Sequence, residues 1–315
     1  MQFSNGPSAP GLSFTAEMRC PQGCCFPVRN GVPRCIAGED YSGSFGFEWT
    51  RYPQVQLDSN TGVALSAQRL ERCLGMPLSS LADKNVLEAG CGSGRFTEVM
   101  LAVGARVCSL DLSNAVEANY ANHAAHPNFF VAQADLRKAP YRHGAFDIVI
   151  CIGVLQHTPN PEESIRALAR YAKPGGLVVI DHYSWGLRRI LALRYFYRAW
   201  LRRLHPSKAH AICRRLVERW LPLHRWVGKK LLLRAVLSRI SPITTYYHRY
   251  DLPEEHQRAF AYLDTFDFLT PRYERLRTLA QVRRAMEHAG LVDVVAYHGG
   301  NGVEARGRVA ASCAE

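Results

Sequence analysis

The run Val86-Leu87-Glu88-Ala89-Gly90-Cys91-Gly92-Ser93-Gly94 places three glycines at alternate positions behind a short apolar stretch. Between a buried strand and a helix, such a loop has a mechanical purpose. The glycines permit a tight turn and let a ligand approach the backbone, and the helix N-terminus presents free N–H groups. Alone the pattern is weak, because dinucleotide-binding enzymes use glycine-rich turns too. The spacing Gly90, Gly92, Gly94 is not their G-x-G-x-x-G. Two carboxylates narrow the ligand. Asp111 ends the next apolar run, where it can accept from two ribose hydroxyls. Asp135 follows Gln133-Ala134, where it can accept from an adenine amino group while Leu136 covers a ring face. Plainer roles stand beside these: ordinary turn glycines, a helix cap at Asp111 that Ser113 can also fill, a solvated loop acid at Asp135. Glu88, at a strand end, either meets the ligand or only satisfies loop N–H groups.

The elements around these residues alternate between period-2 and helical patterns, which predicts a parallel α/β sheet. Strands are expected at 85–88, 106–110, 128–133, 146–151 and 177–181. Helices are expected at 95–103, 114–123 and 162–171, the last stopped by Lys173-Pro174-Gly175-Gly176, since Pro cannot continue a helix and Gly permits a left-handed turn. A helix from Thr278 to Ala289, closed by Gly290, precedes a hairpin of 292–297 and 306–311. Texture divides the chain into an irregular cap rich in Cys and aromatics (1–60), the α/β core (61–182), a basic helical insertion or lid (183–275) and a C-terminal helix and hairpin that complete the core (276–315).

From Asn85 to Tyr183 the chain resembles the class I S-adenosylmethionine-dependent methyltransferases. The likeness rests on the glycine loop, Leu110-Asp111-Leu112-Ser113, Gln133-Ala134-Asp135, Phe146-Asp147-Ile148-Val149, Gly153-Val154-Leu155-Gln156-His157-Thr158 and Lys173-Pro174-Gly175-Gly176, in that order. The flanks Tyr41 to Trp49 and Gln56-Leu57-Asp58-Ser59 resemble a bacterial subgroup of the same family. The resemblance implies a Rossmann-like seven-stranded sheet of order 3-2-1-4-5-7-6 with an antiparallel last strand. It implies S-adenosyl-L-methionine as cofactor, S-adenosyl-L-homocysteine as product, and in-line passage of the methyl group to a nucleophile. The cofactor-binding positions it marks are Glu88, Gly90, Cys91, Gly92, Gly94, Phe96, Asp111, Leu112, Ala134, Asp135, Leu136, Cys151 and Ile152.

Methyl transfer from a sulfonium needs alignment in a dry pocket more than covalent help. A base is required only when the acceptor must lose a proton. His157, just past the fourth strand, is the first candidate, since an imidazole of ordinary pKa near ~6.5 suits neutral pH. Capping the following loop or packing on the cofactor is its equal alternative. His182 and Tyr183, after the fifth strand, are second candidates, and Asp181 can be structural. Tyr41, Phe45 and Trp49 can enclose the sulfonium or the acceptor, and Arg51 can pair with the cofactor carboxylate; core packing is an equal reading for the aromatics. Cys20, Cys24, Cys25 and Cys35 resemble the start of a zinc ribbon. Its first knuckle is stretched to Cys-x-x-x-Cys and no second pair follows, so no zinc is expected.

The net charge of +12 is unevenly placed. From Gly186 to Arg239 fifteen Lys and Arg face one acid, Glu218, a local balance of +14 that leaves about −2 for the remainder. On a helical wheel from Leu187 to Leu204, Ile190, Leu193, Tyr197, Trp200, Leu201 and Leu204 share one side, while Arg188, Arg194, Arg198, Arg202 and Arg203 lie broadly opposite. The apolar side is expected on the core or on a second subunit of a homo-oligomer. For the arginine side a solvated surface is expected first, then an acidic or phosphorylated small-molecule acceptor, an anionic membrane surface, and nucleic acid last. Without an 18-residue apolar run or a secretory leader, a cytoplasmic protein is expected. The leading expectation is a methyltransferase acting on a small metabolite of specialised biosynthesis. An RNA methyltransferase and a non-catalytic cofactor-binding partner are the alternatives.

Overall fold

A computed structural model describes residues 16–19, 23–36, 41–186, 193–228, 230–247, 249–250 and 252–311. Its strands are β1 (Ala16–Arg19), β2 (Cys25–Arg29), β3 (Val32–Cys35), β4 (Asn85–Ala89), β5 (Arg106–Asp111), β6 (Phe129–Ala134), β7 (Phe146–Cys151), β8 (Ala172–His182), β9 (Leu291–His298) and β10 (Val303–Val309). They form one sheet of order β1-β2-β3-β6-β5-β4-β7-β8-β10-β9. Counted from β4, the last seven strands run 3-2-1-4-5-7-6, with β10 antiparallel to β8.

The helices are α1 (Gly43–Arg51), α2 (Asp58–Thr61), α3 (Leu65–Leu74), α4 (Arg95–Ala102), α5 (Ala115–His123) and α6 (Pro161–Tyr171). After β8 come α7 (Arg194–Leu201), α8 (Pro206–Val227), α9 (Leu231–Ile240), α10 (Glu254–Leu269) and α11 (Leu279–His288). Their termini follow from local chemistry. Asn160 caps α6 by accepting from Glu163 N–H, with Pro161 at the first helical position. Thr278 and Gln281 form a reciprocal capping box at α11.

The central strands are buried on both faces, as parallel strands between helical layers must be. Leu87, Leu110, Val149, Val178 and Ile180 join one core with Leu168 of α6 and Met286 of α11. Val86, Val107, Ile150 and Val179 face the other way, onto Leu70 and Leu74 of α3 and Met100 of α4. The insertion builds smaller cores of its own, around Leu201, Cys213 and Phe266 and around Val217, Leu221 and Ala261.

Three expectations need correction. The N-terminal cap is not irregular: β1, β2 and β3 form an antiparallel meander that extends the sheet, with β3 parallel to β6 through Arg34↔Gln133 and Cys35↔Ala134. The turn from β2 to β3 is Asn30-Gly31, both at positive φ (51° and 77°), the geometry a two-residue hairpin prefers. Lys173 to Gly176 ends α6 as expected, but the chain passes straight into β8, whose pairing with β7 slips between Phe146 and Ile148. Within α7, Arg198 turns inward and Trp200 outward. The Arg198 guanidinium donates to the carbonyls of Phe268 and Pro271 and pairs with Glu274 at 3.2 Å. A buried cation is tolerated where its donors are so used. Arg188 and Ile190 of that wheel lie outside the described residues.

Candidate active site

A cavity of about 790 Å³ opens at the C-terminal ends of β4, β5, β6 and β7. Gly90 to Ser93, Arg95, Phe96, Asp111, Leu112, Ala134, Leu136, Ile152 to Val154, His157 and Thr158 line its floor, whereas Gly94 lies behind the lining. Tyr41, Phe45 and Trp49 wall it from the N-terminal side, and residues of α3 and the insertion complete it. Open parallel sheets place ligands at this end of the strands.

The glycine turn is packed too closely by its neighbours to carry side chains. Gly90 has φ +82°, and a Cβ there would stand 2.2 Å from the Val154 side chain. Gly94 has φ +95°, and a Cβ there would meet Asn119 Oδ1 at 2.3 Å. Neither site admits a side chain: at Gly90 it would displace Val154 of the cavity lining, and at Gly94 it would displace buried Asn119 of α5 behind the turn. Gly92 N–H donates to Asp111 Oδ2 at 3.0 Å. Asp111 Oδ1 accepts from the Ser113 N–H and Oγ, both at 2.8 Å. Asp111 thereby joins the β4 and β5 loops while facing the cavity. Ser113, in turn, accepts from Ala115 N–H at the start of α5.

Glu88 lies beneath this turn and does not line the cavity. It accepts from the hydroxyls of Thr97 and Ser109. Burial raises its pKa to about 7, against the lowering effect of those two donors. It therefore ties β4 to β5 and α4. Asp135 is not brought to the cavity either. Arg137, two residues on, grips its carboxylate through Nε and Nη2, at 3.0 Å and 2.6 Å for the closest contacts. Its neighbours Ala134 and Leu136 do line the cavity, as do Cys91 and Phe96. Cys151 is fully buried in the core, and Ile152 takes the lining position. Trp49 packs over Gly92, whereas Arg51 is exposed at the end of α1 and outside the cavity.

His157 lines the cavity, mostly buried, with its ring edge-on to Phe45 and Tyr183 at centroid separations of 5.1 Å and 5.5 Å. Its Nδ1–H donates to the Tyr273 carbonyl at 3.0 Å. That bond places the proton of the neutral ring on Nδ1 and leaves Nε2 as the basic nitrogen. Tyr183 lines the cavity as expected. His182 does not. It is 1% exposed, donates from Nδ1 to the Tyr183 carbonyl, and has its pKa lowered to about 4 by burial. A histidine enclosed in the β8 terminus cannot serve an acceptor in the cavity.

His182 instead makes stability pH-dependent. Its folded pKa lies below its ordinary 6.5, so the unfolded chain binds the proton first as pH falls. The native state is thus unpenalised above about pH 7 and loses stability as pH falls toward 4. Between pH 7 and pH 5 the loss from this residue is about 2 kcal/mol. Urea titrations at these two pH values are expected to show it in the parent. The His182→Asn variant should lose that part of the pH dependence.

Several lining residues carry no signal in the sequence. Arg69 of α3 pairs with buried Asp181, whose other oxygen accepts from Gly153 N–H. Asp181 is thus structural: it holds the turn after β7 and a cationic wall together. Arg95 donates to Gln56 Oε1 at 2.7 Å and to Ser66 Oγ, and burial lowers its pKa to about 10. Asp264 and Asp267 of α10 line the far side, with pKa values raised to about 6 and about 7, first by burial. Asp264, Asp267 and Phe268 in the lining and the Tyr273 carbonyl behind His157 thus come from one stretch, the end of α10 and the segment after it. Among the described residues no group of His, Cys, Asp and Glu is arranged to hold a metal ion. Cys20 lies outside the described residues, and Cys24 and Cys25 are exposed.

Comparison with known proteins places this geometry in a class. The family described as "Methyltransferase domain" matches residues 87–180. A "Ubiquinone biosynthesis O-methyltransferase" of Methylococcus capsulatus is 30% identical over 175 residues, covering 54% of this chain and 73% of that protein. A protein of the same name from Sodalis glossinidius is 40% identical over 101 residues, covering 31% of this chain and 41% of the relative. Further relatives of that name are matched over 42–46% of their lengths. A solved O-methyltransferase family protein from Burkholderia thailandensis superposes with a TM-score of 0.48 at 16% identity, over 84% of this chain and 61% of that one. The chain belongs to the class I S-adenosylmethionine-dependent methyltransferases. It is accordingly a methyltransferase, with S-adenosylmethionine as the donor its family uses.

Proposed function

We propose that the protein methylates a small hydroxylated metabolite, with His157 as general base. The observation that carries this reading is one cavity bounded by the glycine turn and Asp111 at one side and by His157 at the other. The side chains present fit the cofactor. The turn has backbone N–H groups and no Cβ in the way, Asp111 faces the cavity, and Ala134, Leu136 and Trp49 offer apolar surfaces for a flat base. Bound S-adenosylmethionine supplies an already activated methyl group on a sulfonium sulfur.

The protein's part is placement and proton handling. Phe45, Tyr183 and Phe268 exclude water from the acceptor side. His157 Nε2 takes the acceptor proton, and the Tyr273 carbonyl holds the ring in the tautomer that can. Arg95 and Arg194 in the lining suit a carboxylated or phosphorylated acceptor, while Arg69 is committed to Asp181. The relatives' name, O-methyltransferase, supports oxygen as the acceptor atom. Isothermal titration of the intact protein with S-adenosylmethionine is expected to give one site per chain. Absence of binding would overturn the reading.

A further inference from the structure

The insertion carries a surface that the cavity chemistry leaves unused. α9 is ten residues long, and Leu237 is its sole buried residue. Leu231 and Leu232 stand 67% and 82% exposed, and Leu233, Val236 and Ile240 are exposed beside them. So short a helix is marginal in water unless an apolar face packs on something. Here that face looks outward. It is continuous with its neighbours. Leu193 N–H donates to the Arg239 carbonyl at 3.0 Å, which sets the start of α7, with exposed Phe196, beside the end of α9. At the other end Trp226, exposed on the last turn of α8, lies under the Lys230 ammonium at 4.8 Å. Among the described residues, ten of the fourteen large exposed apolar side chains fall between Leu193 and Ile240, so the exposure is a patch and not ordinary scatter.

The same segment is the basic one. Arg202, Arg203, Lys208, Arg225, Lys230 and Arg239 of this segment are exposed, with Lys230 over the Trp226 ring and Arg239 bonded through its carbonyl to Leu193. Surface charge discriminates between occupants. A second copy would set one +14 segment against another. A nucleic acid would match the charge but leave Leu231, Leu232 and Trp226 against water or phosphate. An anionic lipid surface satisfies both halves, with phosphates for the cations and the acyl boundary for the apolar side chains. No helix among the described residues is long and apolar enough to cross a membrane, so the contact is interfacial.

We propose that α7, the end of α8, and α9 form a docking surface for an anionic phospholipid bilayer. The inference is independent of the methyl-transfer reading. The test is co-sedimentation of the full chain with vesicles of phosphatidylcholine alone or mixed equally with phosphatidylglycerol. Binding is expected on the mixed vesicles, to weaken with added salt, and to be at least about tenfold weaker on phosphatidylcholine. Leu232→Glu is expected to lower binding about tenfold while S-adenosylhomocysteine affinity stays unchanged, which separates docking from folding. Lys230→Glu with Arg239→Glu should remove the preference for phosphatidylglycerol. Three results would overturn the proposal: equal binding to both vesicle types, parent-like binding by Leu232→Glu, or a dimer in sedimentation velocity that Leu232→Glu dissolves while vesicles stay unbound.

Discussion

Asp111→Ala is expected to weaken S-adenosylhomocysteine binding by at least about a hundredfold. The carboxylate faces the cavity and also accepts from Gly92 N–H and from Ser113. Two charge-assisted hydrogen bonds to a ribose, each worth about 1.5 kcal/mol, already amount to that factor. Loss of the Gly92 contact adds to it by freeing the turn. Ser113→Ala separates the two contributions, because it removes one support of Asp111 and no cavity oxygen. It should cost only a few-fold. Calorimetry on both variants, with thermal unfolding as the control for folding, is the measurement. Binding by folded Asp111→Ala within threefold of the parent would remove Asp111 from the cofactor site.

The second large effect concerns His157. His157→Ala is expected to lower kcat by about 10²–10⁴ with a hydroxylated acceptor, the usual worth of a positioned base. The dissociation constant for S-adenosylhomocysteine should move only a few-fold. The pH profile gives a readout that lost packing would not. In the parent the rate falls at acid pH as the base becomes protonated, and in the variant that limb should disappear. Unchanged kcat with an unchanged acid limb would leave His157 a packing residue between Phe45 and Tyr183. Acceptors can be found by following labelled methyl transfer into a panel of small hydroxylated compounds.

The core was legible because its signals are local. The run Val86 to Gly94 carries strand, turn and helix start within nine residues, and each needs only its own neighbours. The two buried faces of the sheet follow from side chains alternating along each strand. One further signal was present and unread: Asn30-Gly31 between two short apolar runs marks a hairpin, and that hairpin begins the extension of the sheet. Its parallel docking onto β6 was not readable, since Arg34 meets Gln133 across 99 residues of chain.

The site residues divide in the same way. Gly90, Gly92 and Asp111 could be chosen from sequence because a tight turn and a strand tip each demand particular residue types. Asp135 follows the same logic, but the Arg137 guanidinium holds its carboxylate at 2.6 Å outside the cavity lining. His182 and His157 looked alike as histidines after strands. Both are buried; one is enclosed in the β8 terminus and the other lies in the lining of the cavity, and only packing against β10, Phe45 and Tyr183 separates them.

The chain's own order of residues was enough for the glycine turn and Asp111 on one side of the cavity, where backbone turns and strand tips are set within a few residues. The tertiary structure decided the opposite side of the cavity. There Arg69, Asp264, Asp267 and the Tyr273 carbonyl arrive from α3, α10 and the segment beyond it. Their roles depend on burial and on partners distant along the chain, and a contact closed across 116 residues, as between His157 and Tyr273, leaves no periodicity for a sequence to display.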